Sequence, residues 1–192
     1  MAREDLLSQP LDVLLDRLAT PGGGLAGGSA AAGVVAMAAG LIAMAARAAH
    51  GTWPEAGGAA AQAEALRARA VELAREDAEA FEQAALELHA RGDGSAGRDA
   101  ALAVKLDRAA DVPLEIVRAA VDTTSLAADA ALEGDPDRRA DAVAACVMAE
   151  GAARAAAHLV EVNLKVTGTD PRLAEATELV RAAAADAERA RS

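Results

Sequence analysis

Apolar residues along this chain recur at helical spacing from end to end. In residues 3–19, Leu6, Leu7, Leu11, Val13, Leu14, Leu15 and Leu18 form a stripe that predicts a first helix. A second helix is predicted over about 25–49, where Gly27, Gly28, Ala32, Gly33, Ala36 and Gly40 leave a surface that a neighbouring backbone can approach closely. A long amphipathic helix follows over about 57–91, with Ala63, Leu66, Ala70, Leu73, Ala74, Ala78, Phe81, Ala84, Ala85 and Leu88 in register. Phe81 reads as a core residue on this pattern. A fourth helix covers roughly 98–110, is kinked or restarted at Pro113, and continues to about 132. The fifth ends near 166 and the last spans 172–190.

The punctuation between these stripes is equally regular. Thr20-Pro21, Asp135-Pro136 and Asp170-Pro171 each pair a capping residue with a proline suited to a first helical turn. Arg91–Gly97 is a loop by composition, and the Arg-Gly-Asp within it is read as a loop accident. There is neither a linker nor an internal repeat. The pattern predicts an all-α, single-domain helical bundle of five to six long helices spanning residues 1–192.

Composition strengthens this picture. Hydrophobic residues make up 53% of the 192, yet aromatic residues only 1%, with one Phe, one Trp and no Tyr. Alanine carries much of the apolar content, and it favours helix over strand. The net charge is -11, with basic residues scattered among acids, which argues against nucleic acid and anionic membrane as partners. The uncharged stretch between Arg17 and Arg47 is long enough to cross a bilayer, but its glycines, Ser29 and weakly apolar alanines favour a buried bundle helix. The lone Cys146 has no internal disulfide partner, which is compatible with a cytoplasmic protein.

Candidate chemistry is sparse. His50, His89 and His158 lack metal-ligand spacing, so no metal is expected. Gly22-Gly23-Gly24 opens an uncharged helix, where backbone N–H groups attract an anion, although a flexible helix start explains it equally well. Asp141 lies in the first turns of the fifth helix. It is either a helix-dipole partner or an acid/base group whose proton affinity is raised by dry Ala/Val walls. Asp77 sits among Glu72, Glu76 and Glu79, a run that usually marks a solvated face. Asn163, between Val162 and Leu164, needs a partner if buried. Lys105 and Arg108 suit an anionic tail or a surface salt bridge.

Five segments in order resemble the formiminotetrahydrofolate cyclodeaminase and methenyltetrahydrofolate cyclohydrolase family: Thr20–Gly24, Glu76–Phe81, Val112–Leu114, Arg139–Ala145 and Val162–Lys165 with Asp170. The resemblance covers about residues 6–190. It implies a folate one-carbon enzyme that needs no cofactor beyond its tetrahydrofolate substrate and forms a homodimer. Asp141 would be the catalytic acid/base, and Gly22, Gly23, Gly24, Ser29, Asp77, Asn163 and Lys105 would contact substrate. Leu25, Ala140 and Leu159 stand where the family pattern carries Ser, Ser and Asn. These departures leave two alternatives beside the folate enzyme: a relative with altered chemistry on another amidine- or amide-like ligand, and a structural helical oligomer.

Overall fold

A computed structural model describes residues 9–89, 96–164 and 170–192, with side chains outside 84–109. Six α-helices and one short 3-10 turn make up the described chain: α1 (Leu11–Ala19), α2 (Gly27–Ala48), α3 (Ala56–His89), α4 (Ala96–Glu133), the 3-10 turn Pro136–Arg138, α5 (Arg139–Leu164) and α6 (Pro171–Arg191). The chain is all-α, as the periodicity predicts.

Two of the three proline restarts act as the sequence implies. Asp135 accepts a hydrogen bond from the Asp137 N–H at 2.9 Å and opens the 3-10 turn that leads into α5. Asp170 accepts from the Arg172 N–H at 3.0 Å and caps α6. The third differs. Pro21 lies in a turn, and α2 starts only at Gly27, because Gly22 and Gly24 adopt φ of 80° and 77° and carry the chain away from helical geometry. At Pro113, of the two expected outcomes, a restart does not occur. The proline sits inside an unbroken α4, where a proline costs about 3 kcal/mol. Burial offsets that cost: Pro113 is fully enclosed, and Val112, Leu114, Ile116 and Val117 around it are buried. The predicted 91–97 loop falls mostly on residues outside the described ones.

α5 packs against α2, α4 and α6, and α4 also packs against α3, α2 and α6. The core is built mainly of alanine, with Ile42, Leu73, Ile116, Val35, Val117 and Val160 among its largest enclosed side chains. It divides into two clusters along the bundle. One joins Ala31, Val35, Leu73, Val117, Val160 and Leu164; the other joins Ile42, Trp53, Ala127, Ala142 and Cys146. The first end therefore holds the start of α2 and the end of α5, and the second holds the start of α5.

Two helical segments, Gly27–Ala48 and Pro136–Leu164, are long and apolar enough to cross a membrane. Both lie in the middle of the bundle, with their alanine faces against other helices. α1 behaves differently from the rest. It has no buried residue, and Leu11, Val13 and Leu15 of its stripe face outward.

α2 and α3 run antiparallel in a fixed register. Arg47 pairs with Glu64 at 2.6 Å, Gly40 lies beside Arg67, and Ser29 meets Asp77. At about 1.5 Å per residue, α2 is about 33 Å long and α3 about 51 Å. The start of α2 thus lies level with Asp77, and α3 continues for three turns beyond it.

Candidate functional site

Three glycines shape the approach to α2, each for its own reason. Gly22 and Gly24 take positive φ. Gly23 lies so near Arg17 that a Cβ there would come within 2.1 Å of the Arg17 carbonyl oxygen. The Gly23 N–H donates to the Thr20 carbonyl at 2.9 Å, and the Arg17 Nε donates back to the Gly23 carbonyl at 3.1 Å. The segment is a tight closure of α1. Between it and α1 runs an open groove of about 460 Å³ lined by Val13, Asp16, Arg17, Thr20 and the three glycines. Arg17 has no motif to announce it; only the folded loop sets it there.

The N-terminus of α2 has no cap from its own chain neighbour, Ala26. Its anion comes from α3. Asp77 accepts the Ser29 Oγ–H at 2.9 Å. The carboxyl sits directly on Gly28, where a Cβ would lie 2.0 Å from Oδ1. The helix terminus that attracts an anion therefore has one already, supplied by the protein.

Asp77 is 7% exposed and Ser29 6%, and Asp77 is the only buried ionisable residue among the described residues with the exception of the Cys146 thiol. The solvated face implied by Glu72, Glu76 and Glu79 thus applies to its neighbours and not to Asp77. Burial pushes the Asp77 carboxyl above its usual range, while hydrogen bonding from Ser29 pulls the other way. Such a carboxyl holds its proton closer to neutrality than a surface acid does, which suits general acid/base work.

The other predicted residues do not all gather here. Asp141 lies on α5 about 33 Å of helix rise from Asn163, at the opposite end of the bundle. Its side chain is 42% exposed and faces Arg138 at 3.7 Å. The apolar enclosure expected around it is absent: Ala142 next to it is fully buried and Ala140 is exposed, so Asp141 stands on the outward side of the first turn of α5. Asn163 is half-buried at the Asp77 end, adjoining buried Leu164. One turn earlier on the same helix, Leu159 touches the position of Gly27 at 3.6 Å. The Lys105 and Arg108 side chains lie outside the described residues. Among the described residues no group of three His, Cys, Asp or Glu side chains could hold a metal.

Phe81 was predicted in the core and is 51% exposed. Its azimuth is not at fault: it lies about 40° around the helix from Asp77, on the side that faces the core. It is open because α2 begins level with Asp77 and leaves nothing of itself beside the next turn of α3. The sequence signal was present in the spacing of Asp77 and Phe81, but the start of α2 decides whether that face is covered.

The sequence profile of a family described as Formiminotransferase-cyclodeaminase matches residues 7–182. Among solved structures, the formiminotetrahydrofolate cyclodeaminase of Thermotoga maritima superposes with a TM-score of 0.81 at 24% identity, covering 96% of this chain and 93% of that one. At that identity the likeness establishes the fold. No curated protein matched the sequence.

Proposed function

Because this chain belongs to the formiminotransferase-cyclodeaminase family, we propose that it acts on a folate one-carbon derivative at the Asp77 end of the bundle. Its reaction would be ring closure of formimino-tetrahydrofolate with release of ammonia, or hydrolysis of the methenyl bridge. The observation that carries this reading is the buried Asp77–Ser29 pair seated on Gly28.

In the ring closure, N10 attacks the carbon of the protonated formimino group (–CH=NH2+), N10 loses its proton, and the resulting –NH2 gains one to depart as ammonia, leaving the methenyl cation. One carboxyl that alternates between the two protonation states serves both transfers. Holding N10 and the formimino carbon together supplies a further part of the barrier reduction. The acidic chain, with net charge -11, also favours the cationic methenyl product electrostatically. Asp77 fits the acid/base role better than Asp141, which is solvated and distant.

The test is a spectroscopic assay of methenyl-tetrahydrofolate formation and loss. Asp77→Asn is expected to lower kcat by about 10²–10⁴-fold, and Asp141→Asn to leave it within about twofold. Loss of turnover in Asp141→Asn with normal turnover in Asp77→Asn would reverse the assignment. A second reading, altered chemistry on another amidine-like ligand, draws on Leu25 and on Leu159, which stands against Gly27. Normal turnover of either folate would remove it.

A further inference from the structure

The overhang of α3 beyond α2 leaves an aromatic ring in the open above the buried carboxyl. Phe81 is the only Phe in the chain, and the only other aromatic residue, Trp53, is buried in the opposite cluster. Asp77 and Phe81 are four residues apart on one helix, with Cα atoms about 6 Å apart along the axis. Long side chains on a helix lean toward its N-terminus, so the usual helical rotamers of Phe81 cover the turn that carries Asp77. Beside that turn the Asp77 carboxyl fills the space over Gly28 and takes the Ser29 hydroxyl, so the carboxyl is held at a fixed place one turn before the ring.

Phe81 is one of several exposed large apolar side chains among the described residues, with Leu11, Leu15 and Met37, and the one that offers an aromatic face. A flat ring with a polar edge is the chemistry such an arrangement recognises: one face stacks on the phenyl ring while the edge points to a carboxyl. We propose that Phe81 is the stacking platform for the bicyclic pterin ring of the substrate, holding that ring with its reacting edge toward Asp77. This rests on the folate reading above and adds to it the residue that recognises the ring.

The test is isothermal titration of the full chain with three ligands: 5-formyltetrahydrofolate, 6-methyltetrahydropterin as the ring alone, and p-aminobenzoylglutamate as the tail alone. Phe81→Ala is expected to raise Kd for the first two about tenfold or more, as loss of ring stacking does elsewhere, and to leave any tail binding unchanged. Phe81→Trp is expected to restore affinity, and Phe81→Leu, apolar but without a π face, to restore little of it. The thermal midpoint of all three variants should stay near that of the unaltered protein. Val147→Ala, an exposed apolar position on α5 in the second half of the bundle, serves as the control.

Several outcomes overturn the proposal. Unchanged Kd in Phe81→Ala overturns it while leaving the folate reading intact. An equal loss for ring and tail overturns it, as does full rescue by Phe81→Leu. A shift in sedimentation with Kd unchanged makes Phe81 an interface residue instead. If the unaltered protein binds neither folate nor pterin, the folate reading falls and this one with it.

Discussion

Asp77 accepts the Ser29 hydroxyl, and its two neighbours on α2 are under opposite constraints. Ser29 must supply a hydroxyl, and Gly28 must supply nothing at all. Asp77→Ala would leave the buried Ser29 hydroxyl without its acceptor, and is expected to cost about 1–3 kcal/mol in chemical denaturation. Asp77→Asn keeps an acceptor oxygen and should cost much less. Gly28→Ala forces a methyl group into the carboxyl and should cost about 1–3 kcal/mol. Gly33→Ala on the same helix, where a Cβ meets open space, should gain up to about 1 kcal/mol. The contrast between two glycines five residues apart, measured by urea midpoint, checks the packing directly.

The raised carboxyl of Asp77 also fixes a sign. The folded protein binds this proton more tightly than the unfolded chain does. The stability Asp77 contributes is therefore complete below the ordinary Asp range, about 4, and is lost as pH rises through its folded value. Asp77→Asn should remove that slope from a plot of stability against pH. Cys146 shows burial acting on a different group. Its thiol donates to the Thr124 carbonyl at 3.3 Å and is pushed up to about 11, first by desolvation and then by the nearby Asp186 and Glu150 charges. Thiol reagents should therefore label the native protein very slowly and the denatured protein at once.

At the scale of helices, caps and register do different work. Asp170 caps α6 and also accepts from the Arg172 side chain, whose guanidinium reaches Asp111 on α4 at 2.6 Å. These contacts tie the start of α6 to the segment of α4 around Pro113. The Arg172 side chain and backbone N–H hold the Asp170 carboxyl at about 2. Its folded value is depressed, so the stability it contributes is present above the ordinary Asp value of about 4 and is lost as pH falls toward 2. Asp170→Ala should flatten the acid arm of the unfolding curve between those limits, measured by helical circular dichroism. The antiparallel register of α2 on α3 has the larger functional consequence, since it puts Ser29 opposite Asp77 and leaves Phe81 beyond the start of α2.

For the whole molecule, one architecture carries two unlike ends. The end holding the start of α2 carries the buried carboxyl, the glycine closure and the exposed Phe81. The other carries buried Trp53 and a solvent-facing Asp141. Helical periodicity and alanine content determined the all-α bundle, and the Asp-Pro pairs determined where α5 and α6 begin, because those signals act within a few residues of one another. Five ordered motifs were enough to indicate the family. The site was legible only in part. The resemblance singles out Ser29, Asp77 and the glycines, but nothing local says that Asp77 is buried while Glu76 and Glu79 beside it are not. Nor does anything local say that Pro21 starts no helix, that Pro113 breaks none, that Asp141 stands a helix length away, or that α2 starts too late to cover Phe81. Those outcomes depend on which residues of distant helices come to lie level with one another. Packing register sets that, and the tertiary structure alone decides it.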